Sequence, residues 1–134
     1  HRELDVLLEE SKKAGFITTV TTNCLLYPKY AERLKGKIDM LHFSLDSPNE
    51  DEHNLSRGVK CFDKVLESIQ IAKSLGERPD ILFTVFEHNV DKINQVWNNI
   101  TQPNNLVLIL NPVFEYNNVE TGNNLSDSSL NQLI

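Results

Sequence analysis

One arrangement recurs along this chain: an apolar run closes on a small polar cluster, and a helix-forming segment follows. The run ends are Thr21-Thr22-Asn23, Ser44-Leu45-Asp46-Ser47, Glu87-His88-Asn89, and Asn111-Pro112 with Glu115. Alternating strands and helices indicate an α/β fold, and continuous apolar strands indicate a parallel sheet covered by its helices. Crossovers between parallel strands share one hand, so the helices collect on one side and the sheet curves toward a barrel. A doubly wound sheet is the other arrangement open to this pattern. In either, ligands sit beyond the carboxyl ends of the strands. The polar clusters are therefore expected on one rim.

The individual elements follow from spacing. Leu4, Leu7 and Leu8 fall on one helical face, opposite Glu9, Glu10, Lys12 and Lys13, and Gly15 is a natural stop. Residues 16–22 are rich in β-branched side chains and read as a strand. A short helix is predicted over 27–34, with Pro28 in its first turn, and a strand over 38–45. The polar stretch 47–58 reads as a loop or short helical turn. The strongest helical period runs over 59–75 through Phe62, Val65, Leu66, Ile69, Ala72 and Leu75, closed by Gly76. Strands are predicted over 81–86 and 106–113. Between them lies a helix over 91–100 with Ile93, Val96, Trp97 and Ile100 on its buried side. Residues 117–129 read as a loop, and Ser126 as the N-cap of a further helix.

Composition narrows the function. The chain has 134 residues, enough for one domain, and its formal charge of −6 leaves no Lys/Arg stripe to neutralise phosphates, so a nucleic-acid surface is excluded. No apolar stretch is long enough to span a bilayer and no signal peptide is present, so the expected compartment is the cytoplasm with reduced thiols. The two cysteines, Cys24 and Cys61, form no motif with metal-ligand spacing, and no metal site is expected.

Side chains alternate along a strand. Leu41, Phe43 and Leu45 should pack under helices, leaving Met40, His42, Ser44 and Asp46 toward the interior of the curve. By the same parity Phe16, Thr18 and Val20 face the helices, and Ile17, Thr19, Thr21 and Asn23 face inward. Thr84, Phe86 and His88 share a face, and Asn111 ends the last strand. The result is a wall of hydroxyls, amides and imidazoles, suited to an uncharged or zwitterionic organic ligand. It supplies no nucleophile–base pair and no paired carboxylates for hydrolysis. Any reactive chemistry is then expected to come from a cofactor.

The succession of motifs adds a family. His1-Arg2-Glu3-Leu4 leads into a helix ending Lys13-Ala14-Gly15. Thr21-Thr22-Asn23, Phe43-Ser44-Leu45-Asp46-Ser47, His53 with Arg57-Gly58, and Phe62-Asp63-Lys64-Val65-Leu66 follow in order. This resembles the core of radical SAM enzymes, in the branch of the molybdenum-cofactor enzyme and the peptide maturases. The resemblance implies part of a (β/α)6 partial TIM barrel. Residues 1–116 would be its C-terminal portion, from second helix to sixth strand, and 117–134 a loop and the start of a further helix. It implies a parent enzyme that cleaves S-adenosylmethionine with a [4Fe–4S] cluster to generate a 5′-deoxyadenosyl radical.

The carry-over assigns Ser44, Thr21, Asn23 and Asp46 to the cofactor side, the last two more as holders of strand-end backbone than as ligand contacts. Substrate-side candidates are His42, Thr84, His88, Asn111 and Glu115. His53 and Arg57 fit the loop after the Ser-Leu-Asp strand. The family's Cys-x3-Cys-x2-Cys loop and Gly-Gly-Glu-Pro segment have no counterpart in these residues, so the chain by itself is expected to hold no cluster, to bind no cofactor and to be inactive. Cys24 stands where the family usually has Gly. The basic residue that the molybdenum-cofactor branch carries in its fifth strand is replaced here by Ile81-Leu82-Phe83. A small-molecule or peptide substrate is expected, with self-association through the exposed sheet edge. An unrelated α/β ligand-binding or protein-interaction module is the alternative.

Overall fold

The structure is a computed structural model and describes residues 2–113 and 125–131. Helix α1 (Leu4–Lys13) carries Lys12 and Lys13 in its last turn, where cations complement the exposed carbonyls, and Gly15 reverses the chain at φ +85°. Strand β1 (Thr19–Thr22) begins later than the β-branched run. The cause is Asp39, whose carboxylate accepts from both the Thr18 amide (2.8 Å) and the Thr18 hydroxyl (2.9 Å). This clasp ties the chain ahead of the strand, and Phe16 and Ile17 are left exposed. Lys12 sits 2.6 Å from Asp39 and, with the Thr18 bonds, holds its carboxyl down at about 2.

Helix α2 (Tyr27–Leu34) buries Tyr27, Ala31 and Leu34, and strand β2 (Met40–Ser44) follows. Residues 47–58 contain a true helix, α3 (Glu50–Arg57). Asn49 caps it by accepting from the Glu52 amide, acidic residues fill its first turn, and Gly58 closes it at φ +65°. Helix α4 (Phe62–Ser74) starts without a cap of its own. Its first amides are satisfied from α3 instead: Asn54 Oδ1 accepts from Cys61 N at 2.8 Å and Phe62 N at 3.0 Å.

Strand β3 (Asp80–Val85) leads into an irregular helical passage. A 3-10 turn (Val90–Lys92) precedes α5 (Ile93–Val96), and a π turn (Trp97–Thr101) and a second 3-10 turn (Gln102–Asn104) follow. The wider π turn shifts the helical phase. Val96, Ile100 and Thr101 are buried, while Trp97 turns outward and is 40% exposed, against its expected place in the core. Strand β4 (Leu108–Pro112) completes the sheet. Helix α6 (Asp127–Leu130) starts at Ser126, whose hydroxyl accepts from the Ser129 amide at 3.2 Å. The boundary expected at 116/117 lies outside the described residues.

The strands pair in the order β1-β2-β3-β4, all parallel. The fold is therefore α/β with strands alternating with helices. One sheet face packs on the helices: Phe43, Leu45, Ile81, Phe83 and Val85 meet Val65, Ile69, Ala72 and Val96, all fully buried. Apart from Ala72, each such side chain contributes about 1.5–3 kcal/mol of burial. The other face carries Thr21, His42, Ser44, Leu82, Thr84, Ile109 and Asn111 and has no helix over it among the described residues. It is this face that positions the site.

Candidate functional site

The sheet forks at its rim. Pairing of β2 with β3 ends at Ser44 and Leu82, with one more bond from Leu45 N to Leu82 O, whereas β3 and β4 stay paired as far as Val85 and Pro112. Past that point side chains replace the ladder. Asp46 Oδ1 accepts from the Thr84 amide at 3.3 Å, and Asn89 Nδ2 donates to the Asp46 and Thr84 carbonyls at 3.1 and 3.0 Å. Asn89 Oδ1 accepts from the Phe86 amide at 2.7 Å. Backbone groups that lose a ladder partner in a buried place need another; here a carboxylate and an amide supply it.

Asp46 is buried and its acceptors are engaged from α3 as well. Arg57 Nη2 lies 2.6 Å from Oδ1, and Ser56 Oγ donates to Oδ2 at 3.1 Å. Its own amide donates to His53 Nδ1 at 3.1 Å. His53 is fully buried, its other ring nitrogen 3.3 Å from Cys61 Sγ and its ring edge-on to Phe62. Burial lowers the His53 pKa to about 4, so the imidazole is neutral near pH 7. The same burial raises the Cys61 thiol. Cys24 is also buried, its thiol pushed up to about 12 by desolvation, and it adopts φ +68°.

On the open face, strand register sets three rows. Thr21 and His42 stand beside Asp80; Ser44 stands beside Leu82 and Ile109; Thr84 stands beside Asn111. His42 stands between its neighbours: Nδ1 is 3.4 Å from Thr21 Oγ1, while Nε2, 3.7 Å from Asp80 Oδ2, is buried with no hydrogen-bond partner among the described residues. Ser44, at the fork, is 5% exposed. The hydroxyls of Ser44 and Thr84 and the amide of Asn111 have no protein partner among the described residues. Thr21, His42, Ser44, Thr84 and Asn111 thus lie on one face. Asn23 does not join it: its Oδ1 accepts from the Leu25 amide at 3.3 Å in the turn after β1.

His88 is exposed and stacks on Phe86 with centroids 5.1 Å apart. Both line a rim cavity of about 530 Å³ with Asp46, Glu52, Leu55, Ser56 and Asn89. Glu87 points elsewhere, accepting from Ser126 N at 2.8 Å and Ser129 Oγ at 2.9 Å, which anchors α6 beside the end of β3 and lowers the Glu87 pKa. Glu115 lies outside the described residues. The sequence places Asn89 in a rim cluster but does not show its role across the fork, and it does not mark Asp80, Leu82 and Ile109 as site residues. Parity from β2 would have found Leu82 and Ile109 had the register been known; nothing local marks Asn89 as a stitch across the fork.

Comparison with known proteins follows this geometry. The Radical SAM superfamily model matches residues 1–96, which sets aside the unrelated module as an alternative. Among solved structures, native anSMEcpe with bound AdoMet and Kp18Cys peptide superposes with a TM-score of 0.76 at 18% identity. That match covers 98% of this chain and 40% of that one. SuiB from Streptococcus suis superposes with a TM-score of 0.76 at 18% identity, over 96% of this chain and 31% of that one. SuiB bound to S-adenosylmethionine gives 0.74. The chain thus spans well under half the length of these structures. Among the described residues no helix is long and apolar enough to cross a membrane.

Proposed function

Because this chain belongs to the radical SAM superfamily, we propose that it forms the S-adenosylmethionine- and substrate-side wall of an enzyme that cleaves S-adenosylmethionine. The observation that carries this reading is the open face at the fork. Adenosine needs an apolar bed for its base and partners for its hydroxyls and ring nitrogens. Leu82 and Ile109 form such a bed, and Ser44, Thr84 and Asn111 set beside it polar groups that have no partner among the described residues. One row deeper, Thr21 borders the cofactor and His42 beside it the substrate. Asp46 and Asn23 hold the backbone from which these groups project.

In such an enzyme a [4Fe–4S] cluster would supply the electron for reductive cleavage of S-adenosylmethionine and so give access to 5′-deoxyadenosyl radical chemistry. The residues of this chain do not fit that cluster. Cys24 and Cys61 are buried, Cys61 already beside His53, and no set of three or more ligating side chains converges among the described residues. The part played by this chain is therefore binding and orientation, and alone it is inactive and binds the cofactor weakly. The substrate is a peptide or a small organic molecule; the peptide held by anSMEcpe supports the first. We read the setting as cytoplasmic, in keeping with two buried cysteines that are not paired with each other.

The test is anaerobic reconstitution of the whole protein with iron and sulfide, followed by an assay for 5′-deoxyadenosine. Ser44→Ala should raise KM for S-adenosylmethionine about tenfold, the loss of one buried hydrogen bond. Absence of 5′-deoxyadenosine from a cluster-loaded preparation would sink the assignment.

A further inference from the structure

The order of substituents around one buried imidazole carries an inference about the fork. A backbone amide can only donate, so His53 Nδ1, 3.1 Å from Asp46 N, has no proton of its own. The neutral ring then carries its proton on Nε2, which donates toward Cys61 Sγ at 3.3 Å. We propose that His53, fixed in this tautomer, is a positioning residue: it holds the Asp46 amide just beyond the end of β2 and so fixes the Asp46 carboxylate and carbonyl that set the fork, which presents Ser44 and Thr84 to the ligand.

The alternatives for that amide show why it matters. With Asp46 N held by His53, the carboxylate of the same residue turns to the Thr84 amide and to Arg57, and its carbonyl turns to Asn89. Without the imidazole acceptor, the Asp46 amide is a buried donor without a partner. Relieving that donor requires the backbone at Asp46 to turn, which moves its carboxylate off the Thr84 amide and its carbonyl off Asn89 and so alters the gap beside Ser44. His53 is fully buried, with its ring against Asp46 N, Cys61 and Phe62. It acts through Asp46, on the S-adenosylmethionine reading given above.

The experiment is a pair of substitutions read against each other in the whole, reconstituted protein. His53→Asn keeps an oxygen acceptor near the Nδ1 position and loses the reach to Cys61. His53→Gln keeps a group near the Nε2 position and loses the acceptor for Asp46. Asn is the smaller side chain, so a purely packing role ranks His53→Asn as the worse variant. A positioning role ranks them oppositely. We expect His53→Gln to raise KM for S-adenosylmethionine about tenfold with kcat little changed, and His53→Asn to stay within about threefold of the parent. Hydrogen exchange at the Asp46 amide should remain slow in His53→Asn and become fast in His53→Gln. Equal effects of both variants, or a larger effect of His53→Asn, overturn the proposal. If the parent protein binds no S-adenosylmethionine, the cofactor assignment fails, and the Asp46 exchange pattern alone decides the role of His53.

Discussion

Asp46 shows how one side chain can hold a site without touching a ligand. Its carboxylate binds Arg57, Ser56 and the Thr84 amide from a nearly fully buried position. Removing one partner of such a buried set leaves the others uncompensated. Asp46→Ala should therefore cost about 3 kcal/mol in urea unfolding; a loss below about 1 kcal/mol would show that Arg57 and Thr84 find other partners. His53 gives a pH signature. Its folded pKa of about 4 lies below the ordinary 6.5, so between these values the unfolded chain binds a proton that the folded chain excludes. Stability is thus full above about pH 6.5 and falls as pH drops toward 4, by about 3 kcal/mol from this group. The charges of Asp46 and Arg57 act on the same ring in opposite directions, Asp46 raising its pKa and Arg57 lowering it. Either His53 substitution should flatten that limb. An unchanged slope between pH 6.5 and 4 would assign it to carboxylates instead.

Local signals and long-range ones separate cleanly among the helices and strands. Helix α2 follows its apolar spacing to the residue, and the interior of α4 follows its own. The start of α4 was not readable, because its cap, Asn54, comes from α3. Strand β1 was read too long, because the Asp39 clasp on Thr18 lies beyond any local window. The spacing over 91–100 predicts one regular helix, but the structure divides the passage into 3-10, α and π turns, and Trp97 lies outside the buried face that Val96 and Ile100 keep. That last difference is measurable. Trp97→Ala should cost under about 1.5 kcal/mol, well below a buried aromatic, whereas Val96→Ala should cost about 2–3 kcal/mol. The reverse ranking would restore a regular helix. The candidate site divides in the same way. Ser44 and Thr21 are visible as strand ends in the sequence, while the stitch by Asn89 and the row containing Asp80 depend on register, which one chain read alone does not contain. Gly58, at φ +65° with no neighbour near a would-be Cβ, ends α3 by backbone conformation alone. Gly58→Ala should cost about 1 kcal/mol, with α3 otherwise intact by circular dichroism.

Strand β1 terminates the sheet, with its outer backbone groups unpaired among the described residues. Beside it lies a cavity of about 430 Å³, walled by Leu4, Val20, Tyr27, Tyr30 and Leu34 and spanned by the Asp5–Arg33 ion pair. Phe16, Ile17 and Leu26 stand exposed nearby. An open strand beside an apolar slot recruits a further strand. We expect the 134-residue chain to self-associate, with its sedimentation coefficient rising with concentration, and Thr21→Pro to shift it toward monomer by denying the edge a donor. A concentration-independent monomer would remove this edge as a contact surface.

The gap between β2 and β3 has a consequence for how such a protein can diversify. Its width depends on two polar side chains, Asp46 and Asn89, and not on the apolar layer below. Exchanging either for a longer or shorter homologue would widen or narrow the aperture while the hydrophobic foundation stays in place. Substrates of different girth then become accessible through two codons, with the scaffold left untouched.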